Sequence, residues 1–364
     1  MLTYKRKLKL SKSDEIRISS WIGACRVVYN MGLEIKIATY KTKEQSISKY
    51  TLMKQLTEIK DIDWIKDVPA QTLQETMDRL DRSYQTFFRT FKKGGGFPKF
   101  AKKDEYNSIV IKDIKVNNEN NTVKLTNLGI ISTFKDREIK GVPKRATIIK
   151  EPTGYFICIQ CDGVEKPVYN SDKNQVGGID MGISHFCIDS DGGFVANEKH
   201  FSKHERKLRI ENRSLARKKK FGKNWKKQAK KLGMLHHKIA NVRKDFIHKK
   251  STDYARKYNT IFLEDLKINN MVRNKNLSKQ ILDCGWGMFR TMLEYKANVV
   301  RINPKNTSQK CNCCGRVDLK NRLSQSVFKC INCGYKNNAD VNSALNLRSE
   351  GIAIIRKREA LACA

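Results

Sequence analysis

Apolar residues recur with different periodicities along the N-terminal part of the chain, and each periodicity predicts a different element. The opening residues, TYKRKLKL, alternate as in a strand. Cap residues at 11–14 then precede an apolar pattern through 21–33, which predicts a helix. A later stripe recurs at steps of four and three and predicts a helix whose apolar face lies in the core of a bundle: Leu73, Met77, Leu80, Tyr84, Phe87 and Phe91.

The middle of the chain changes to short apolar alternations separated by turns. The glycines and proline of GGGFPKF, residues 94–100, break the helical pattern and mark a boundary. Four segments between 108 and 168 then predict the strands of a small antiparallel sheet or barrel: SIVIKDIKV, NNENNTVKL, RATIIKE and GYFICIQCD.

The C-terminal half has a third pattern, in which strands and helices are mixed. Residues 176–197, VGGIDMGISHFCIDSDGGFVAN, predict three short strands in an antiparallel meander with a tight turn at 190–193. TIFLEDL predicts a buried strand, LSKQILDCGWGMFRTMLEYKA an amphipathic helix, and NVVRI another short strand. Strand, helix and strand in succession imply a parallel pair in an α/β layer.

The charge of the chain points to a polyanionic partner. The 364 residues include 73 Lys+Arg and 37 Asp+Glu, which gives a formal charge of +36. Nucleic acid is the favoured partner, because an excess of Lys and Arg side chains neutralises phosphates and releases their counterions. Residues 201–250 alone carry 19 Lys/Arg against three acids, with Phe221, Trp225 and His236 interleaved, which favours a phosphate-facing surface over a merely solvated helical hairpin.

A membrane is the weaker alternative as a partner. The sequence has no apolar run of about 18 residues and no lipidation signal. The N-terminal segment, MLTYKRKLKLSKSDE, lacks the apolar core of a signal peptide, so we expect a cytosolic protein.

Four of the eleven cysteines have the spacing of a metal site, C-x2-C-x15-C-x2-C: Cys311, Cys314, Cys330 and Cys333. Paired CxxC knuckles predict one tetrahedral Zn²⁺, and four thiolates leave no position for water, so the ion is expected to be structural. Cys313 lies between ligands and is expected to point away. The others are expected to be buried small hydrophobes or inert thiols: Cys25, Cys158, Cys161, Cys187, Cys284 and Cys363.

Three carboxylates stand at the ends of predicted elements. Asp180 and Glu264 each end an apolar strand, and Asp340 opens a helical stretch just after the last cysteine pair. Each acid alone is more often a turn or cap residue, but together they can converge in one α/β layer. Three such carboxylates can hold two Mg²⁺ ions about 3.5–4 Å apart, one to generate the attacking hydroxide and one to stabilise the leaving 3′ oxygen.

Several segments resemble the signature blocks of the TnpB family of insertion-sequence-encoded, RNA-guided nucleases. In the C-terminal half these are GIDMGISHFCIDSDGG, FLEDLKINNM, LDCGWGMFRTMLEYKA, NPKNTSQKCNCCG and CINCGYKNNADVNSALNL. Upstream, WIGACRVVYNMGL and LQETMDRLDRSYQTFFRTFKKGGGFPKF are also similar to the family, so the resemblance spans nearly the whole chain.

The resemblance implies an α+β multidomain protein. A wedge-like N-terminal β-barrel at 1–10 and 103–172 would carry a helical recognition region at 11–102. A RuvC-like, RNase H-like α/β nuclease domain would follow at 173–305 and 336–358. A zinc ribbon would be inserted at 306–335, and a tail would occupy 359–364.

The resemblance also implies a function and its residues. Asp180, Glu264 and Asp340 carry over as the three nuclease acids. A guide RNA from the end of the element would direct a monomeric ribonucleoprotein to cleave double-stranded DNA beside a short target-adjacent motif, which Gln74, and less strongly Gln71, would contact. One departure puts the catalytic rate in question: the family's arginine before the third acid is Ala339 here.

Two other functions remain open at this point. A repressor that binds DNA without cutting it should have lost one of the three acids, and all three are present. A conventional transposase would also use a carboxylate triad on an RNase H-like fold, but it would need terminal DNA repeats and no guide RNA.

Overall fold

A computed structural model describes residues 2–103, 105–165 and 168–362, and Cys363 of the predicted tail therefore lies outside the described residues. The chain divides into two compact units, Met1–Glu165 and Lys166–Ala364.

The first unit contains a seven-stranded sheet in which every neighbouring pair is antiparallel, in the order β2-β6-β7-β1-β5-β4-β3. The opening segment and the four predicted segments form six of these strands, with SIVIKDIKV divided into β2 and β3, whereas β5 was not predicted. The two edge strands, β2 and β3, follow each other directly in the chain. The strands are β1 (Leu2–Lys9), β2 (Ser108–Ile111), β3 (Ile114–Asn117), β4 (Thr122–Leu125), β5 (Gly129–Thr133), β6 (Val142–Glu151) and β7 (Gly154–Asp162).

Helices fill the chain between β1 and β2. The predicted cap at Ser11 is confirmed, since its hydroxyl accepts the backbone N–H of Asp14 and the Asp14 carboxylate accepts the N–H of Ser11. The helices are α1 (Lys12–Lys43), α2 (Lys49–Gln55), α3 (Asp63–Lys66) and α4 (Ala70–Thr90), and a short 3₁₀ turn at Phe91–Lys93 follows α4.

The apolar stripe on α4 is buried only in its first half. Leu73, Met77 and Leu80 are almost fully buried against α1 and the sheet. The prediction that the whole stripe lies in the core is wrong, because Phe91 is 62% exposed. Helical period identifies the apolar face of a helix but not how far the rest of the fold extends along it.

The second unit contains a five-stranded sheet in the order β10-β9-β8-β11-β12. The predicted meander is confirmed as the antiparallel strands β8 (Val176–Asp180), β9 (His185–Asp189) and β10 (Phe194–Ala196). The predicted parallel pair is confirmed as β11 (Thr260–Glu264) and β12 (Asn298–Ile302), and β11 also pairs in parallel with β8. In this order β11 lies between β8 and β12, and all five of its residues are buried.

Helices connect and cover these strands. The basic segment forms α5 (Glu205–Ala216) and α6 (Lys223–Lys257), and α7 (Ile268–Met271) follows β11. The single helix predicted for 277–297 is instead two, α8 (Ser278–Cys284) and α9 (Trp286–Glu294). The break falls at Gly285, whose φ of +71° is left-handed and cannot continue an α-helix.

The last helix, α10 (Ala339–Ala362), lies directly on the sheet. A Cβ at Gly178 of β8 would lie 2.1 Å from the carbonyl oxygen of Ala344, and one at Gly351 would lie 2.0 Å from the ring of Phe262. The two glycines therefore permit close contact between α10 and the central strands. The predicted tail is helical as far as Ala362, because nothing after Gly351 interrupts a run of good helix formers.

Two element boundaries differ from the predicted ones. The short strand β14 (Lys336–Asn338) pairs with β13 (Val327–Lys329), so the ribbon hairpin extends to residue 338 rather than 335. Residues 168–172 belong to the second unit, where Asn170 donates to the carbonyls of Arg256 and Lys257 at 3.0 and 3.2 Å. Within the described residues, no helix has both the length and the apolar character needed to cross a membrane.

Candidate functional site

The alternation of side chains along β8 and β11 places two acids on the same face of the sheet. Ile179 and Leu263 point into the core formed with α6 and α9. Their neighbours Asp180 and Glu264 therefore point to the opposite face, the one covered by α10. Because the strands are parallel neighbours, their carboxyl ends lie at the same edge of the sheet.

Asp340 joins this edge from α10. It is the second residue of the helix, and the contact between Gly178 and Ala344 brings the first turns of α10 onto β8. The three predicted acids thus line one cavity of about 280 Å³ within the second unit. The other lining residues are Met181, Gly182, Ser184, His185, Ile188, Pro304, Thr307, Ser308, Arg322, Gln325 and Ser343.

The electrostatics of the cavity are those of crowded carboxylates. Burial, together with the negative charges of Glu264 and Asp340, raises the pKa of Asp180 from 3.8 to about 8. Burial also raises the pKa of Glu264, although the hydrogen bond from Thr307 opposes the rise. Three such oxygen donors around one cavity are the ligand set that a hard divalent cation prefers, so these residues fit Mg²⁺.

Thr307 orients Glu264, and no motif in the sequence indicated this role. Its hydroxyl donates to Glu264 Oε1 at 2.6 Å, and its carbonyl accepts a hydrogen bond from Asn346 of α10 at 2.9 Å. Asn346 is 1% exposed and also binds the carbonyl of Lys310 at 2.7 Å. The helix that carries Asp340 therefore also holds the loop that orients Glu264, a relationship between residues far apart in the sequence.

Arg322 is the second residue that the sequence did not reveal. Its guanidinium donates to Asp340 Oδ1 at 2.8 Å and to the carbonyl of Gln325 at 2.8 Å. Ala339, where the family has arginine, is fully buried against Phe328 and Cys330 in the ribbon. A side chain at 339 thus belongs to the ribbon core, while Arg322 brings an arginine charge to the third acid.

Asn338 fixes the start of α10. Its side-chain oxygen accepts the backbone N–H groups of Asp340 and Val341 at 2.9 and 3.3 Å, as an N-cap does. Asn338 is also the last residue of β14, so the same residue ends the ribbon hairpin and begins the helix of the third acid.

The four predicted zinc ligands lie together. The sulfur atoms of Cys311, Cys314, Cys330 and Cys333 all lie within 4.8 Å of one another. Each knuckle closes through a glycine of positive φ, Gly315 at +74° and Gly334 at +73°. Cys313 is exposed and outside this group, as expected. The four thiols fit a tetrahedral metal such as zinc.

Gln71 and Gln74 lie in the first unit, within the first two turns of α4. Both side chains are exposed, and a spacing of three places them on one face of the helix. The residues on either side of Gln74, Leu73 and Glu75, are buried. The pair is therefore accessible to a partner.

Three family models match the chain. The first, described as "Probable transposase" (OrfB_IS605), matches residues 158–275, and the Cas12f1-like TNB domain matches 286–347. The third, described as a helix-turn-helix domain, matches residues 1–45, which the structure folds as β1 and one continuous helix through residue 43.

The chain is similar over nearly its full length to two curated proteins. It is 34% identical to the "Putative RNA-guided DNA endonuclease InsQ" of Escherichia coli (strain K12), over 97% of this chain and 92% of that protein. It is 27% identical to the "Putative RNA-guided DNA endonuclease" of Streptomyces pristinaespiralis, over 95% of this chain and 89% of that protein.

A solved structure has a similar fold. The mini-RNA-guided endonuclease CRISPR-Cas phi3 superposes with a TM-score of 0.58 at 10% identity, over 95% of this chain and 92% of that one. This likeness concerns the fold alone. Together with the OrfB_IS605 match, the 34% identity to InsQ along nearly all of both proteins establishes that this chain belongs to the TnpB family.

Proposed function

We propose that this chain is an RNA-guided DNA endonuclease, with Asp180, Glu264 and Asp340 as its catalytic acids. The observation that carries the proposal is the convergence of these acids, from β8, β11 and α10, in one cavity. The names of the two full-length relatives support the same activity.

The three acids would hold divalent cations, for which we propose two Mg²⁺ ions. Bound there, the ions would supply a water of lowered pKa and neutralise charge on the leaving 3′ oxygen. Thr307 would keep Glu264 in its ligating orientation, as a residue behind a metal ligand commonly does. If a cation replaced the Arg322 guanidinium at Asp340, that guanidinium would be able to bind a backbone phosphate.

We also propose finer assignments of the fold. The second unit would be RuvC-like and RNase H-like, in line with its antiparallel meander joined to parallel strands. The first unit would be a wedge-like β-barrel, closed where β2 meets β3, with residues 11–102 as the helical recognition region. The ribbon would bind one structural Zn²⁺ and hold the start of α10 in place.

The partners would be a guide RNA derived from the element end and double-stranded target DNA. The charge of +36 and the basic hairpin of α5 and α6 suit two polyanions. Exposed Gln71 and Gln74 would contact the target-adjacent motif. We further propose a monomeric ribonucleoprotein in the cytosol, where thiols stay reduced and available to zinc.

The alternatives have less support. A repressor that does not cut DNA does not require three acids in one cavity, and the full-length relatives are named endonucleases, not transposases.

The test is to sequence the nucleic acid that co-purifies with the chain when its gene is expressed with its downstream flank, and then to assay Mg²⁺-dependent cleavage with that RNA.

We expect one discrete RNA, and cleavage that Asp180→Ala abolishes without loss of RNA binding. Asp245→Ala is the matched control, since Asp245 forms an exposed ion pair with Lys249 on α6. Heterogeneous RNA together with no cleavage, or cleavage that survives Asp180→Ala, would contradict the proposal.

A further inference from the structure

Six aromatic side chains form a surface cluster in the first unit. This aromatic surface consists of Tyr40 on α1, Tyr84, Phe87 and Phe88 on α4, Phe91 just after it, and Phe97 in the glycine-rich segment. Three of the rings are largely exposed, Phe88 at 70%, Tyr40 at 64% and Phe91 at 62%. Singly exposed apolar residues are ordinary, but contiguous patches of this kind mark binding sites.

The rings of the aromatic surface support one another. Phe87 lies at the centre, with its ring centroid 5.3 Å from those of Phe88, Phe91 and Phe97. Phe97 meets Tyr84 edge-on at 5.5 Å and 86°. Packing of this kind holds the ring edges and faces in place, which gives a flat ligand a preformed surface.

A cavity of about 470 Å³ opens on this surface, within the usual range for small-molecule sites of about 300–1,000 Å³. Aromatic rings supply much of its wall. The lining residues are Lys36, Ile37, Tyr40, Lys41, Ser46, Tyr84, Phe87, Phe88 and Phe97.

The chain segment that carries most of the aromatic surface is basic. The segment from residue 84 to 103 contains six aromatic and six basic residues and no acid. Arg89, Lys92 and Lys99 of this segment are exposed. Lys36 Nζ lies 5.1 Å from the centre of the Tyr84 ring. Aromatic rings interleaved with cations are the chemistry that binds a single nucleic-acid strand, with bases on the rings and phosphates on the cations.

A second copy of this chain would fit the surface poorly. Its net charge is also +36, and the same basic residues would face one another across the contact. A purely apolar protein segment would leave these cations without a partner. Charge complementarity therefore favours a polyanion with flat apolar groups.

We propose that the aromatic surface stacks unpaired bases of the guide RNA while the basic residues around it contact the flanking phosphates. The inference rests on the proposed function for the identity of the strand. Paired bases cannot lie on protein rings, whereas a folded RNA offers loops, bulges and ends with splayed bases. Duplex target DNA offers none until it is opened.

The test compares variants of the full chain at Phe88, whose exposure permits substitution without disturbing the core. Phe88→Leu keeps an apolar side chain but removes the ring, and Phe88→Trp keeps a stacking face. Phe134→Leu is the matched control, because Phe134 is 49% exposed in the same unit and has Lys7 and Lys9 beside its ring. The probes are single-stranded oligoadenylate RNA and its duplex with oligouridylate, with Kd measured by fluorescence anisotropy.

The expected result is selective for the strand and for the ring. Phe88→Leu raises Kd for the single strand about 5- to 100-fold and leaves Kd for the duplex unchanged. Phe88→Trp and Phe134→Leu both bind like the wild type. Equal single-strand affinity of Phe88→Leu and the wild type would overturn the inference, as would wild-type dimers that Phe88→Leu dissociates.

Chemical probing of the ribonucleoprotein identifies the strand. Phe88→Leu is expected to expose discrete unpaired guide nucleotides that the wild type protects. Protection that appears instead on opened target DNA would overturn the assignment to RNA. These readouts need no cleavage, so loss of cleavage with intact base protection would count against the proposed nuclease and not against the stacking surface.

Discussion

Gly178 and Ala344 approach so closely that a Cβ on the glycine would lie 2.1 Å from the alanine carbonyl oxygen. Asp180 follows Gly178 by two residues, and Asp340 precedes Ala344 by one helical turn. The contact between these two small residues therefore sets the distance between two of the three acids.

Replacing Gly178 with alanine should impair both stability and cleavage. The added Cβ meets backbone atoms of α10, which cannot rotate away, so overpacking should reduce the free energy of unfolding by about 1–3 kcal/mol. The shifted helix should also separate Asp340 from Asp180 and reduce cleavage. Urea unfolding and a cleavage assay measure the two effects.

The control for this variant is Gly287→Ala on α9. The nearest atom to a Cβ there is Ile268 Cδ1, at an ordinary contact distance of 3.6 Å. The substitution should raise stability by about 0.5–1 kcal/mol, because alanine is the better helix former. If Gly178→Ala were as stable and active as Gly287→Ala, α10 would not position the third acid in this way.

Thr307→Val tests whether Glu264 needs its hydrogen-bond donor. Valine keeps the shape of threonine but cannot donate to Glu264, and loss of such a supporting contact typically costs about 10–100-fold in metal affinity or activity. The Mg²⁺ concentration that gives half-maximal cleavage should rise accordingly. Thr307→Ser retains the hydroxyl and should stay close to the wild type. Equal Mg²⁺ dependence of the two variants would contradict the role given to Thr307.

The pKa of Asp180 predicts how the metal-free protein responds to pH. Its value is raised to about 8 in the folded state, so the folded chain holds a proton that the unfolded chain has lost between about pH 4 and 8. The free energy of unfolding should therefore fall as pH rises through this range, by at most about 1.4 kcal/mol per pH unit from this group.

Asp180→Asn removes this titration. In EDTA, the variant should gain stability relative to the wild type as pH rises from 5 to 8, and added Mg²⁺ should stabilise only the wild type. Thermal unfolding at a series of pH values measures both effects. If the stability of the two proteins changed with pH in the same way, the pKa of Asp180 would not be raised by burial and the neighbouring carboxylates.

Zinc should affect cleavage without taking part in it. Cys330→Ser removes a buried ligand, and elemental analysis is expected to find one zinc ion in the wild type and none in this variant. Because β13 and β14 lead into Asn338 and α10, the variant should also lose cleavage. Cys313→Ser should keep both the zinc and the activity. If a zinc-free Cys330→Ser protein kept full activity, the ribbon would not be needed to position Asp340.

Much of the candidate site could be predicted because its signals are local. Asp180 and Glu264 end apolar strands, and parallel strand ends meet at one edge of a sheet. The spacing of the cysteines likewise predicted which four thiols lie together in the ribbon. Strand alternation and the cap at Ser11 depend on near neighbours in the chain, and they were predicted for the same reason.

The features that were missed depend on contacts between distant segments. Thr307 and Arg322 stand in loops of ordinary composition, and only the position of α10 brings them to the acids. Phe88 and Phe91 continue an apolar pattern whose first half is core, and nothing in the period indicates where the neighbouring elements end. The apolar period continues across Gly285, from Ile281 and Cys284 to Phe289 and Met292, so it did not indicate the break.

The most direct test of RNA guidance is to reprogram the protein. The guide segment of the co-purifying RNA is replaced with an unrelated sequence, and cleavage is mapped on DNA that carries both the old and the new targets beside the same motif. The cut is expected to move to the new target with the wild-type chain and to be absent with Asp180→Ala. A cut that stays at the old target, or that appears without RNA, would contradict it.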